Sequence, residues 1–419
     1  MRPVQIIFVL ACLTLSLLHP SAAYAQSAAD YNANGTEFYE AREWKAAIDA
    51  FTLALQLDPD NKIIRTNLSN AFQAHAGDLA KTGDYGTAIA QLEDTIQLDP
   101  VNPKPLLQLG AYYLHEGFVP DAIFRLEEAI ELAPGDVDAH FLLGEAYYKD
   151  NDARSALEQW DWVREADPGR PGLAERVETA RREERVEADF AGRSSRHFNV
   201  SYNREAEGAL VREVLEHLES AYREIGRTLG RAYPPAPIQV SLYTVKGFIE
   251  STQLDEHVGA VYDGTKIRCP VIDGQGARLP TEELRRRLYH EYVHVVVHHL
   301  AKNNVPWWLN EGLAETFSSD LKDSEIKLLQ RARKSDSLFR LSDLSESQLD
   351  ERQVAALTLA YKQSHATVEF LKQRFGTRRF ATLLAALAEG EDPEVALRRS
   401  FRYSYRTLEL AVANFIENG

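Results

Sequence analysis

A chain of 419 residues is long for a single hydrophobic core and predicts two or three domains. Its composition is ordinary globular, with 44% hydrophobic, 10% aromatic and 26% charged residues. A formal net charge of −16 excludes a nucleic-acid partner and non-specific binding to an anionic membrane surface, since both need clustered Lys and Arg.

Residues 1–25 read as a secretory signal peptide. Arg2 precedes an apolar run from Val4 to Leu18, and Ala23-Tyr24-Ala25 fits an A-x-A processing site before Gln26. The run is short for a span that needs about 20 residues, and no second long apolar run follows. The expectation is an exported, periplasmic protein with no membrane span after cleavage. Loss of Cys12 with the signal leaves Cys269 alone, so no intramolecular disulfide is expected.

Residues 28–168 carry an internal period. Ala122-Ile123, Leu126, Ala129 and Pro134 recur 34 positions later as Ala156-Leu157, Trp160, Val163 and Pro168, and Gly110 recurs as Gly144. An earlier copy reads Gly35, Phe38, Ala47, Phe51, Ala54 and Pro59. The copy between them, with Ala88-Ile89, Leu92 and Pro100, follows at 41 positions, so its first helix should be about seven residues longer. This spacing resembles the tetratricopeptide repeat. The resemblance implies stacked helix pairs with a concave groove, and a protein or peptide partner on it.

Residues 169–195 form a charged connector, and their alternating Arg and Glu predict a solvated helix. From 196 the pattern changes. HFNVSY and PIQVSLYT read as strands around an amphipathic helix from Glu205 to Leu229, and VGAVYDGTKIRCPV as a hairpin turning at Asp263-Gly264. Thr281 is placed to cap a helix that runs to about Lys302, with Glu282 and Glu283 in its first turn.

That helix contains His290-Glu291-Tyr292-Val293-His294. Residues four apart share one helix face, so both imidazoles can reach one cation with Glu291 beside it. After Asn303-Asn304 and Pro306, the segment Trp307-Trp308-Leu309-Asn310-Glu311-Gly312-Leu313-Ala314-Glu315 reads as a second helix. His298 and His299 fall outside the ligand spacing and are expected as surface or packing residues, and Trp307 and Trp308 as core aromatics. A purely structural zinc site would favour a closed set with thiolates, and no cysteine lies nearby.

Residues 288–315 closely resemble the gluzincin class of zinc metallopeptidases, and the chain from about 195 onward resembles the peptidase-MA-like proteins in outline. The resemblance implies one Zn2+ ion held by His290, His294 and Glu311, with Glu315 orienting a ligand histidine. Tyr361, in LTLAYKQSHATVEFLKQRFG, matches the family's transition-state donor, and His365 is the second candidate on the same helix face. Gly259, Ala260 and Val261 would pair with an extended peptide substrate.

The fold expected is mainly α: an N-terminal α-solenoid of helix-turn-helix repeats, then an α+β zincin-like metallopeptidase domain over 196–419 with a small mixed sheet. The expected function is hydrolysis of peptide bonds by metal-activated water with Glu291 as general base, the repeats recruiting substrate or a partner protein. The alternative is a non-catalytic repeat scaffold whose peptidase-like module binds zinc or a peptide without turnover.

Overall fold

A computed structural model describes residues 26–204, 206, 208–255, 258–302, 304–345 and 354–418. The expected signal peptide lies outside the described residues. The chain divides into two compact units, one ending at residue 105 and one from 106 to 419.

In the first unit α1 (Ala28–Glu40) opens with a capping box, in which Ser27 and Asp30 satisfy each other's backbone amides. It pairs with α2 (Trp44–Leu57), and α3 (Lys62–Lys81) pairs with α4 (Tyr85–Leu98). The 20 residues of α3 are the predicted long first helix of the irregular copy. Ala47, Phe51, Leu68 and Ala71 form the core here. Gly35 is small for a reason: a Cβ there would meet the Phe51 ring at 2.6 Å.

Helix α5 (Pro103–Glu116) runs into the second unit, where α6 (Val119–Leu132), α7 (Val137–Lys149) and α8 (Ala153–Ala166) continue the repeats. The recurring apolar positions are the ones that touch. Ala122 and Leu126 pack against Leu143 and Ala146, and Trp160 and Val163 pack against the next helix, α9 (Leu173–Glu187). Each fully buried Leu or Val among them contributes about 1.5–3 kcal/mol.

Among the described residues the sheet has five strands: β1 (Ala191–Ser194), β2 (Phe198–Tyr202), β3 (Ile238–Thr244), β4 (Val261–Tyr262) and β5 (Lys266–Ile272). Their order is β1-β2-β3-β5-β4, with a parallel centre (β2, β3, β5) and antiparallel edges. Helix α10 (Gly208–Thr228) connects β2 to β3, and α11 (Val245–Thr252), absent from the sequence reading, follows β3. Alternation along β5 explains its mixed composition. Ile267, Cys269 and Val271 enter the main core, while Lys266 and Arg268 turn to the opposite face.

That opposite face is where the connector lies. Glu183 of α9 pairs with Lys266 at 3.0 Å and with Arg268 at 2.8 Å, all three side chains being almost fully buried. Tyr148 of α7 donates to Glu183 and accepts from Arg268 at 3.3 Å. The connector is therefore not the solvated helix expected. It buries Leu173, Val177 and Ala180 against α8 and Glu183 against the β5 cations, and it continues into β1 as an edge strand.

The helical remainder comprises α12 (Thr281–Ala301), α13 (Trp307–Ser318), α14 (Asp323–Lys334), α15 (Val354–Phe375), α16 (Arg378–Ala388), α17 (Pro393–Phe401) and α18 (Tyr405–Asn418). They share one core with the sheet, centred on α12.

Candidate metal centre

Helix α12 is anchored by apolar residues all along its length. Leu284, Leu288, Tyr292, Val293, Val296 and Val297 are buried, which leaves the line through His290 and His294 toward a cleft. The expected Thr281 cap is not formed. Pro280 takes the N-cap position without a side-chain bond, and the Thr281 hydroxyl accepts from Arg278 instead, at 3.2 Å. Glu282 and Glu283 occupy the first turn as predicted. Lys302, at φ 55°, ends the helix.

Helix α13 starts after Pro306. Its first amides donate to main-chain carbonyls, Trp307 to Ser345 at 3.4 Å and Trp308 to Leu344 at 3.0 Å. Trp308 is the expected core anchor, whereas Trp307 lines the cleft and packs edge-on to Tyr361 at 5.1 Å. Gly312 allows α15 to approach, since a Cβ there would lie 2.5 Å from the Ser364 carbonyl oxygen. That approach brings Lys362 to Glu315.

The two helices deliver His290, His294 and Glu311 to one point. One ligand atom from each lies within 4.8 Å of the other two. The Glu311 Oε2 atom is 3.4 Å from His290 Nε2 and 3.7 Å from His294 Nε2. Zinc bonds of about 2.0–2.1 Å at tetrahedral angles put donor atoms about 3.3 Å apart, close to the two separations of Glu311 from the imidazoles. Glu311 Oε2 is also buried without a hydrogen-bond partner, as a cation ligand should be.

Charge points the same way. Burial pushes the His290 imidazole down, but the adjacent Glu311 carboxylate and the Glu291 and Glu315 charges hold it above its usual value. Burial pushes Glu311 up, and His294 and His290 outweigh that and hold it low. The cluster attracts positive charge. Cys269 takes no part: it is fully buried, and burial pushes its thiol up to about 12.

The outward ring nitrogens face polar neighbours. His294 Nδ1 is hydrogen-bonded to Asn310 Oδ1 at 3.1 Å, and His290 Nδ1, without a hydrogen-bond partner, faces Glu315 Oε1 at 3.6 Å. Glu315 is itself held by Lys362 Nζ at 2.7 Å, and Lys362 also reaches Glu325 at 2.9 Å. Burial raises the Glu315 carboxyl, but Lys362 and His290 outweigh it and keep the group ionised. Asn310 and Lys362 are not among the residues expected at the site. Asn310 carried a signal, lying one residue before Glu311, but Lys362 comes from a helix whose packing no local pattern reveals.

These residues open on a cleft of about 1350 Å³. Gly259, Ala260 and Val261 form one wall and Tyr361 lines it from α15. His365 is fully buried and does not line the cleft; its Nδ1 faces Glu315 Oε2 at 3.9 Å. His298, expected at the surface or in packing, lines the cleft edge-on to the Tyr262 ring. Glu291 is 5% exposed, and burial raises its carboxyl above the usual range against the opposing pull of His290, His294 and the Tyr262 backbone N–H.

Residues 269–418 match the Peptidase MA superfamily and residues 107–171 the tetratricopeptide repeat. The chain is similar to the DnaJ homolog subfamily C member 3 homolog of Dictyostelium discoideum, at 27% identity over 36% of this chain and 32% of that protein. It is also similar to interferon-induced protein with tetratricopeptide repeats 2 of Mus musculus, at 24% identity over 61% of this chain and 51% of that one. These matches span about a third and about half of the relatives' own lengths. Among solved structures, the MamA protein aligns with a TM-score of 0.31 at 22% identity, over 36% of this chain and 80% of that one. YrrB, described as a TPR protein with an unusual peptide-binding site, aligns at 0.28 and 23%, over 36% and 74%. Among the described residues no helix is long and apolar enough to cross a membrane. The chain therefore carries tetratricopeptide repeats followed by a Peptidase MA superfamily domain.

Proposed function

We propose that this chain is an exported zinc peptidase of the gluzincin type that hydrolyses peptide bonds, its repeats recruiting substrate or a partner protein. One observation carries the reading: two imidazole Nε2 atoms and a carboxylate oxygen converge beside the buried Glu291 in an open cleft. His290, His294 and Glu311 would hold one zinc ion, which as a Lewis acid makes water acidic and polarises a carbonyl. Two imidazoles and one carboxylate form the open ligand set of a catalytic site rather than a closed structural one.

The chain's own residues supply the remaining steps. Glu291, with its carboxyl raised above the usual range by burial, takes a proton from the attacking water and passes it to the leaving amine. Glu315 and Asn310 hold the ligand imidazoles in orientation through their Nδ1 atoms. The donor to the developing oxyanion is assigned to the Tyr361 hydroxyl in preference to His365, a choice supported by Tyr361 lining the cleft and His365 being enclosed. An extended peptide lies along Gly259, Ala260 and Val261, because β4 is a sheet edge and exposes backbone groups to it.

The proposed organisation is a signal peptide over 1–25, repeats over 28–168, the connector over 169–195 and the peptidase domain over 196–419. The test is cleavage of denatured casein by zinc-loaded wild type, Glu291→Gln and a chelated sample. Hydrolysis by wild type alone supports the peptidase. Casein binding without cleavage, in a protein with zinc in place, supports the scaffold reading instead.

A further inference from the structure

The wall of the cleft is built differently from the rest of the sheet. Asp263 donates its amide to Lys266, and Val261 and Tyr262 pair with Arg268 and Ile267. Antiparallel ladders alternate hydrogen-bonded and non-bonded pairs. The register makes Asp263–Lys266 and Val261–Arg268 bonded pairs, and the next bonded pair would be Gly259 with Pro270. Proline has no N–H to give, so the ladder stops and the Gly259 carbonyl loses its partner on β5.

Arg287 takes that place. Its Nη1 donates to the Gly259 carbonyl at 2.7 Å, while its Nε donates to Glu283 at 2.8 Å. Glu283 in turn accepts two bonds from Arg286. The guanidinium lies flat enough against the strand that a Cβ on Gly259 would sit 3.3 Å from its Cζ. Arg287 stands one turn before Glu291 on α12, so a single helix carries both the proposed base and the clamp on the segment that leads into β4.

We propose that Arg287 is a positioning residue that extends the cleft edge past the point where Pro270 ends the ladder. Continued one residue before β4, the same alternation would turn the Ala260 N–H and C=O away from β5. Clamping Gly259 therefore holds the Ala260 pair in line as a donor and acceptor for an extended peptide, and assigns the Gly259 carbonyl to the protein. The substrate part of this inference rests on the peptidase reading; the clamp itself does not.

Two readouts on the full-length protein separate them. Amide hydrogen exchange should show protection over residues 258–262 falling at least tenfold in Arg287→Ala, with α12 unchanged. Arg287→Lys should restore part of it, since one ammonium cannot span Glu283 and Gly259 as a planar fork does. Adding Pro270→Ala to Arg287→Ala supplies the missing N–H and should return most of the protection. Unchanged exchange in Arg287→Ala, or no recovery in the double variant, would overturn the clamp. For cleavage of fluorescein-labelled casein, Arg287→Ala should raise KM at least tenfold with kcat within threefold. If casein is not cleaved by wild type, the peptidase reading fails and exchange alone decides the clamp. A fall in kcat at constant KM would overturn the positioning role.

Discussion

Gly312 on α13 and Ser364 on α15 meet backbone to backbone, with no room between them for a methyl group. This one approach places Lys362 against Glu315 and closes the shell behind His290. Gly312→Ala should therefore destabilise the protein by about 1–3 kcal/mol through overpacking. Urea unfolding measures that loss, and zinc titration of the folded fraction should show weaker binding.

Lys362 holds two carboxylates, Glu315 and Glu325, in a largely buried setting. Lys362→Met leaves Glu315 without its cation and loosens its hold on the His290 ring. Metal affinity should fall about 10–100-fold, as for other lost ligand-orienting contacts. Competition with a chromophoric chelator reads this directly, and Glu291→Gln serves as the control that keeps the ligands intact.

Tyr361→Phe removes only a hydroxyl from the cleft wall. With the Trp307 ring contact preserved, kcat should drop by about 10²-fold and KM should change little. Full turnover in this variant would assign the oxyanion donor elsewhere.

Glu183 balances Lys266 and Arg268 in the covered face of the sheet. Removing one side of a buried ion pair strands the other charges, so Glu183→Ala should cost about 3–5 kcal/mol. Thermal unfolding should show the loss, together with higher protease sensitivity of the connector.

Asp263 gives the hairpin a pH dependence. Burial raises its carboxyl, but Arg268 and the bonds from Thr265 and Lys266 outweigh this and hold it at about 2. A carboxyl lowered on folding adds stability that is complete above about pH 4 and is lost as pH falls toward 2. After solvent screening the contribution is about 1–2 kcal/mol. Asp263→Asn should lower stability at pH 7 and flatten its decline below pH 4, as followed by denaturant unfolding across pH.

Periodicity and spacing determined a good deal by themselves. The 34-residue recurrence marks the helix pairs because the same small and apolar positions must touch in every copy. The i,i+4 spacing of His290 and His294 puts both rings on one side of α12, whatever surrounds it. The β4–β5 hairpin is legible from its turn residues.

Tertiary structure decided what lies between distant segments. The connector looked solvated because charge alternation is usually a sign of water, yet its Glu183 meets Lys266 and Arg268 across the sheet. Lys362, Asn310 and Arg287 acquire their partners only when α12, α13, α15 and β4 close around one cleft. Local pattern records which face of an element is apolar. It does not record which element will arrive on that face, because that depends on packing between residues far apart in the chain. The convergence of Glu311 with the two imidazoles belongs to the second kind, and the proposed chemistry depends on it.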